Sequence, residues 1–250
     1  MDKKYEFTGK TIEVCGRVLH RIKALRNFGF VQAGELGGFI EKEDNLSHEG
    51  NAWVFGNAKV YDNAWIYDDV WVYDDAWVCG NAQVYGDAKV YDDAWVRSNA
   101  EVHGNARVCD NARVYGNAQV YGYAEVYGSA KVYGNAKVYG DTKICGNAWV
   151  YDNVKIYGNA WVCGNAQVYG NAQVYDDAKV YNDAWVGDNA RVYDSANVYG
   201  DALVCDSANV CGNAQVYGNA QVYDDAKVYG DTKICGNADI YDDVRKETNL

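Results

Sequence analysis

Hydrophobic and polar positions repeat with a period of six from Glu49 to Ile240, thirty-two times, with no insertion or deletion. The commonest form of this hexad is Tyr-Gly-Asn-Ala-x-Val. Ala and Val alternate with x and Tyr, which is the period of a β-strand. The x slot holds Lys, Arg, Gln, Glu and Trp, so we expect the x and tyrosine slots to face outward. The alanine and valine slots then form the core.

The residues between these short strands favour sharp bends. Gly or Asp is followed by Asn or Asp, and such residues tolerate positive φ at low cost. Each hexad is therefore predicted to form one strand and one corner, and three hexads close a triangular coil of about eighteen residues. A unit repeated this strictly buries its apolar face only against its neighbours, which is the signature of a solenoid.

The predicted fold is an all-β, single-stranded parallel β-helix over residues 49–240. A small N-terminal capping module over residues 1–48 precedes it, and a short C-terminal tail over residues 241–250 follows it. At the bare edge of the last coil Arg245, Lys246 and Glu247 offer charge that would blunt strand addition, but they are too few for three sides of a triangle. We therefore hypothesise that two copies meet tail to tail as a homodimer with two-fold symmetry.

Motifs before the repeat and in its first hexad indicate a family. They include Leu19-His20-Arg21-Ile22, Gly37-Gly38-Phe39-Ile40 and Glu49-Gly50-Asn51-Ala52-Trp53-Val54. This segment resembles the N-terminal module of the bacterial and phage YdcK-like proteins. The repeat itself is similar to the hexapeptide repeat of left-handed β-helix proteins, which include many trimeric acyltransferases. The resemblance implies a left-handed coil, and it carries a transferase label by fold analogy.

Charge narrows the range of partners. The net charge is -12 with a pI near 4.6, which opposes binding to nucleic acid or to an anionic membrane and suits a basic partner. The segment Met1–Phe7 has no apolar leader, and no stretch approaches the roughly 20 apolar residues of a membrane span. We expect a cytoplasmic protein.

No catalytic constellation is evident among the three histidines, His20, His48 and His103. A general base needs an orienting partner and a pocket, and the repeat has no loops that would build one. We expect all three to be surface or cap residues, and we predict no catalytic residue, no metal site and no cofactor. The alternative implied by the resemblance is a hexapeptide-class acyltransferase with a histidine base.

Cysteines and aspartates raise two further possibilities. Seven of the eight cysteines occupy the tyrosine slot and none forms a Cys-x-x-Cys pair, which disfavours metal binding. Cys145 and Cys163 are predicted to stack on adjacent coils, but reduced thiols are expected in a cytoplasmic protein. Asp74-Asp75 and Asp92-Asp93 are predicted to stack at one corner. A divalent cation could bind there, although we expect turn residues screened by water.

The outward aromatic surface is the strongest functional signal. Twenty of the thirty-two tyrosine slots hold Tyr, and stacking at eighteen residues predicts tyrosine ladders. The candidate binding platform, for a sugar chain or a protein, is Tyr73, Trp77, Tyr91 and Trp95, which we expect to stack on one face. We therefore predict a non-catalytic β-solenoid scaffold or interaction rod. Besides the transferase, the alternative is an acidic rod that mimics DNA and inhibits a basic protein.

Overall fold

The computed structural model describes residues 3–245, and their contacts form two compact units, Met1–Tyr123 and Ala124–Leu250. Each unit contains a parallel β-solenoid in which paired strands are eighteen residues apart. Trp71 pairs with Lys89 in unit 1, and Trp149 pairs with Gln167 in unit 2. The predicted parallel β-solenoid is confirmed. Its left hand stays a prediction from the resemblance.

In unit 1 an antiparallel meander precedes the solenoid. It consists of β1 (Tyr5–Val14), β2 (Arg17–Ala24) and β3 (Leu36–Ile40), and a 3-10 helix follows at Glu43–Asn45. Strand β3 then pairs in parallel with the strand that begins at Lys59. The expected N-terminal module is therefore continuous with the sheet of the first coils.

Twelve two-residue strands form three faces of unit 1, here called a, b and c. Face a contains β4 (Trp53–Val54), β7 (Trp71–Val72), β10 (Lys89–Val90) and β13 (Arg107–Val108). Face b contains β5 (Lys59–Val60), β8 (Trp77–Val78), β11 (Trp95–Val96) and β14 (Arg113–Val114). Face c contains β6 (Trp65–Ile66), β9 (Gln83–Val84), β12 (Glu101–Val102) and β15 (Gln119–Val120).

Unit 2 likewise has three faces, here called d, e and f. Face d contains β16 (Glu125–Val126), β19 (Lys143–Ile144), β22 (Trp161–Val162), β25 (Lys179–Val180), β28 (Asn197–Val198), β31 (Gln215–Val216) and β34 (Lys233–Ile234). Face e contains β17 (Lys131–Val132), β20 (Trp149–Val150), β23 (Gln167–Val168), β26 (Trp185–Val186), β29 (Leu203–Val204), β32 (Gln221–Val222) and β35 (Asp239–Ile240). Face f contains β18 (Lys137–Val138), β21 (Lys155–Ile156), β24 (Gln173–Val174), β27 (Arg191–Val192), β30 (Asn209–Val210), β33 (Lys227–Tyr229) and β36 (Val244–Arg245).

The core consists of the alanine and valine slots, which are buried in both units up to Val228, while most x and tyrosine slots are half-buried or exposed. The predicted inward and outward assignment is confirmed for these slots. It is wrong at Trp53, Tyr61, Cys79 and Gly187, which occupy outward slots and are buried. The physical reason is that the N-terminal module covers the first three and a neighbouring tyrosine ring covers Gly187. Tyr61 and Cys79, for example, pack against Leu19 of β2.

Three different donors cap the first coil. Each side of the triangle begins with a buried alanine carbonyl that has no earlier coil to bond. The carbonyl of Ala52 accepts from Lys4 Nζ at 2.9 Å. The carbonyl of Ala58 accepts from a backbone N–H of β3 at 2.9 Å, and the carbonyl of Ala64 accepts from Asn45 Nδ2 at 2.8 Å. Buried carbonyls left unpaired are costly, so the module completes the sheet on all three sides.

At the other end, Val244 pairs with Val228 of the preceding coil on face f. Ile240 is half-buried and Tyr241 is exposed, so the last described coil is less covered than the first. Lys246, Glu247 and Leu250 of the expected tail lie outside the described residues. Over the described part of the chain, no helix has the length and apolarity that a membrane crossing requires.

Candidate functional site

Stacked aromatic ladders cover the outward surface of both units. Parallel strands in register place identical slots one strand spacing apart, about 4.8 Å, which brings flat rings into contact. In three ladders the centroids of neighbouring rings are 4.5–5.1 Å apart and the ring planes are nearly parallel. These are Tyr67, Tyr85, His103 and Tyr121 on face c; Tyr139, Tyr157, Tyr175 and Tyr193 on face f; and Tyr181, Tyr199 and Tyr217 on face d.

The candidate platform forms two stacks instead of one. Tyr73 and Tyr91 stack on face a with centroids 4.7 Å apart, and Trp77 and Trp95 stack on face b with centroids 5.0 Å apart. The stacking within each pair agrees with the expectation. The expectation that all four share a face is wrong, because the corner after Tyr73 turns the chain onto the next face before Trp77.

Most outward tryptophans are covered by a cation, a feature that the sequence analysis missed. In each case the Lys or Arg occupies the x slot directly paired with the tryptophan, one coil away. The centroid distances are 4.7 Å for Lys89 and Trp71, 5.0 Å for Lys59 and Trp77, 5.3 Å for Arg113 and Trp95, 4.2 Å for Lys131 and Trp149, and 5.3 Å for both Lys143 and Lys179 over Trp161. A cation over an indole face contributes about 0.5–1 kcal/mol at exposed sites.

His48 lies beside a cavity of about 600 Å³ that is also lined by Glu43 and Trp65. The backbone N–H of Lys4 donates to His48 Nδ1 at 3.1 Å, and the ring stacks on Tyr5 at 4.4 Å. Burial lowers the pKa of His48, so the ring is neutral at pH 7 and carries its proton on Nε2. Since Nδ1 already accepts a hydrogen bond, neither nitrogen offers a free lone pair. The arrangement caps the N-terminal module and does not prepare a general base.

His20 and His103 are also held by neighbouring rings. His20 stacks on Phe7 at 4.8 Å, and His103 stacks between Tyr85 and Tyr121 on face c. Burial lowers the pKa of His103, so it joins the ladder as a neutral ring. The structure thus places each of the three histidines in a separate aromatic environment.

The predicted aspartate corner does form on unit 1. The backbone N–H of Asp75 donates to the carbonyl of Asp92 at 3.1 Å, so the two corners are stacked. The side chain of Asp75 lies 3.7 Å from Lys59 Nζ, which offsets part of its charge. This ion pair supports the interpretation of these residues as turn residues.

Two other corners bring carboxylates and a thiol within 4.8 Å of one another, and the sequence analysis missed both. The groups are Asp92, Cys109 and Asp110 on unit 1, and Asp188, Cys205 and Asp206 on unit 2. Burial, with the charge of Asp206, raises the pKa of Cys205 to about 11. The protonated thiol lies 3.6 Å from Asp206 Oδ2 and donates to it. A cysteine one coil after an aspartate corner is the signal in the sequence that could have found them.

Cys145 and Cys163 stack on face d, as predicted, with Cα atoms 4.5 Å apart. They form a disulfide, so the expectation that both thiols are free is wrong. The physical reason is the register of the ladder, because paired strands hold the two Cβ atoms side by side within the range that a disulfide spans.

Comparison with known proteins places the repeat in a family. A family model described as YdcK Beta solenoid repeat matches residues 82–98, 106–122, 172–188 and 214–230. Each unit contains two matches, whose first residues are 24 apart in unit 1 and 42 apart in unit 2. Neither offset is a multiple of the eighteen-residue coil, so the two matches of a unit begin on different faces. No curated protein matches the chain. The matched repeats and the coil geometry together support the resemblance to the YdcK-like proteins and show that the chain is a β-solenoid repeat protein.

Proposed function

We propose that this protein is a non-catalytic scaffold that binds a protein partner through its outward aromatic surface. The observation that carries the proposal is the exposure of tryptophan on that surface. Trp161 is 44% exposed and Trp185 is 45% exposed. Tryptophan is enriched among the residues that dominate protein interfaces, and exposed aromatic surface commonly marks an interaction site.

The charge of the chain indicates a basic partner. A net charge of -12 attracts a basic protein and repels nucleic acid and anionic membranes. The DNA-mimic alternative is less well supported, because Lys89 and Lys131 lie on the outward surface over tryptophan rings and interrupt a uniform negative face.

Affinity capture with a matched pair of variants tests the scaffold proposal. In the first variant Trp149, Trp161 and Trp185 become Gln, which removes the exposed rings of unit 2. In the control, the outward residues Gln167 and Gln221 become Ala. We expect a partner captured by the wild-type protein to be lost from the tryptophan variant and kept by the control. Equal capture by both folded variants would refute the role of the aromatic surface.

The transferase alternative has its own test. We expect no saturable binding of acetyl-CoA by isothermal titration calorimetry, because His48 and His103 are neutral rings held by their neighbours. Saturable binding that is lost in His48→Ala or His103→Ala would favour an acyltransferase.

Self-association through the last coil belongs to the same proposal. The backbone N–H groups of Lys233 and Asp239 lie at the edge of faces d and e, and neither has a hydrogen-bond partner within residues 3–245. Such an edge favours strand addition, so we propose a tail-to-tail homodimer. A monomeric mass by light scattering at high protein concentration would refute the dimer.

The proposal also includes a cytoplasmic setting. Cellular thiols there would reduce the disulfide that the structure shows between Cys145 and Cys163. Rapid alkylation of the source cells followed by mass spectrometry tests this setting, and a disulfide recovered intact would contradict it.

A further inference from the structure

Three regular features of the repeat are interrupted together on face e. Trp185 has no cation in either paired x slot, Gly187 is the single glycine in the tyrosine slot, and Leu203 is the single aliphatic residue in the x slot. Leu203 pairs directly with Trp185 on the next coil. A surface that is otherwise repetitive therefore has one distinct patch, here called the Trp185 patch.

The absence of a paired cation leaves the indole ring of Trp185 uncovered. The x slots paired with Trp185 hold Gln167 and Leu203. By contrast, Trp161 on face d lies between Lys143 and Lys179, each 5.3 Å from its ring centroid. No Lys or Arg of the described chain lies over the ring of Trp185.

The missing tyrosine side chain reshapes the ladder beside this ring. Gly187 is buried, and a Cβ atom built on it would overlap the ring of Tyr169. The Tyr169 ring has thus moved into the space that a tyrosine would fill. Its centroid is 5.7 Å from that of Tyr151 and 6.4 Å from that of Trp185, to which its plane is nearly perpendicular. The result is an apolar floor of Tyr169, Trp185 and Leu203.

Carboxylates flank this floor at both corners. Asp183, Asp201, Trp185 and Leu203 line a cavity of about 330 Å³. Asp183 Oδ1 accepts a hydrogen bond from an asparagine at 2.9 Å, whereas the side chain of Asp201 has no hydrogen-bond or ion-pair partner within the part of the chain that the structure describes. At the other corner lie the carboxylates of the Asp188, Cys205 and Asp206 group.

We propose that the Trp185 patch binds a lysine or arginine side chain from a basic segment of a protein partner. This inference rests on the proposed function, in which the outward aromatic surface binds a protein. The chain itself shows the fitting ligand, because its other solvent-accessible tryptophans on faces a, b, d and e are each covered by a cation. A partner's cation over Trp185 would gain the same contact together with the carboxylates of Asp183 and Asp201.

Among the described residues, Trp65 on face c is the other exposed tryptophan without a cation over its ring, since Trp53 is buried, and it serves as an internal comparison. It lines the cavity that contains Glu43, but it stacks on Tyr67 at 4.2 Å, and Glu43 already pairs with Lys3. One face of the Trp65 ring and the carboxylate of Glu43 are therefore already occupied. The Trp185 patch offers the more open site.

Fluorine NMR of protein labelled with 5-fluorotryptophan tests the inference, using a hexalysine peptide as the probe and hexaglutamate as the charge control. Trp185→Phe assigns the resonance. We expect hexalysine to shift the Trp185 resonance saturably and hexaglutamate to leave it unchanged. Asp201→Asn is expected to weaken this binding about twofold to fivefold, the range for a partly exposed ion pair.

A filling variant makes the test specific. Leu203→Lys places a lysine opposite Trp185, as Lys179 lies opposite Trp161, so it is expected to abolish the hexalysine shift. Gln215→Lys is the control, because it makes the same change of charge in an x slot of face d. It is expected to retain the shift.

Two results would overturn the inference. One is hexalysine affinity that is equal in the wild type and in Leu203→Lys, which would mean general charge attraction. The other is a Trp185 resonance that responds to the neutral sugar cellohexaose and not to hexalysine, which would assign the patch to a glycan. Either result can occur while the capture experiment succeeds, so this inference and the scaffold proposal fail separately.

Discussion

Replacement of Asn45 by Ala tests whether side chains of the N-terminal module complete the first coil. Asn45 is fully buried, donates to the carbonyls of Ala64 at 2.8 Å and Asp62 at 3.2 Å, and accepts from the N–H of Lys42 at 2.9 Å. Asn45→Ala removes all three hydrogen bonds. It leaves the carbonyl of Ala64, a buried residue, without its hydrogen-bond partner.

The magnitude follows from these contacts. An unsatisfied buried carbonyl costs about 1–3 kcal/mol, and a lost hydrogen bond at a partly exposed group costs about 0.5–1.5 kcal/mol. We expect a loss of about 2–4 kcal/mol in the free energy of unfolding. The control is Asn63→Ala, which removes an exposed amide that donates to Asn81 at 3.1 Å. A surface change of this kind is expected to cost about 0.5 kcal/mol.

Native-state hydrogen exchange is the assay that separates a local effect from a global one. Repeat proteins unfold by parts because each coil contacts only its neighbours. The amide of Ser47, which donates to the carbonyl of Ile66 at 2.9 Å, is expected to exchange faster in Asn45→Ala, with little change on the faces of unit 2. Equal protection of Ser47 in Asn45→Ala and Asn63→Ala would refute the capping argument.

Three further outcomes are expected. Val132→Asp places a carboxylate at a fully buried position, so it is expected to cost several kcal/mol and to unfold part of unit 2. Lys131→Asp is expected to cost about 0.5–1 kcal/mol, because it removes the cation over the paired tryptophan. Equal thermal melts of the two variants would contradict the assignment of inward and outward slots. Burial raises the pKa of Tyr67 to about 12, above the value of about 10 in an unfolded chain. The contribution of the neutral Tyr67 phenol to stability is therefore complete below pH 10 and is lost as the pH rises through 12. A far-UV circular dichroism spectrum that stays unchanged above pH 12 would contradict this prediction. Reduction of the Cys145–Cys163 disulfide, which closes a loop of eighteen residues, is expected to lower the free energy of unfolding by up to about 3 kcal/mol; labelling of both thiols by an alkylating agent in unreduced native protein would show that the bond is absent.

The periodic part of the fold was accessible from the sequence because each slot has one environment in every coil. Alternation of small or aliphatic slots with variable ones predicts burial correctly in the alanine and valine slots up to Val228, and it fails at Ala238 and Ile240 of the last coil, which are half-buried. The prediction of exposed slots fails where a non-periodic segment of the chain covers the coil. Trp53 and Tyr61 occupy outward slots but lie under the N-terminal module, and a period of six holds no information about that contact.

The candidate site shows a different kind of failure. Tyr73 and Trp77 are four residues apart, which suggests proximity, yet a corner places them on adjacent faces. The relevant neighbour of Trp77 is Lys59, eighteen residues away. That spacing is visible in the sequence, but its meaning depends on three hexads closing one coil. The same spacing shows that Trp185 has no cation of its own.

Because strands pair at a spacing of eighteen residues, the number of hexads between two outward residues decides whether they are neighbours on the surface. Removal of any one hexad between Trp161 and Trp185 would leave every strand and corner intact, since each hexad is a complete strand and corner. It would, however, bring the two tryptophans into directly paired slots, where their rings would stack as those of Trp77 and Trp95 do. The open indole would disappear without a single substitution near it. A deletion of six residues in this protein is therefore a change of specificity at constant fold, and duplication of hexads can create new outward contacts as readily as it adds length.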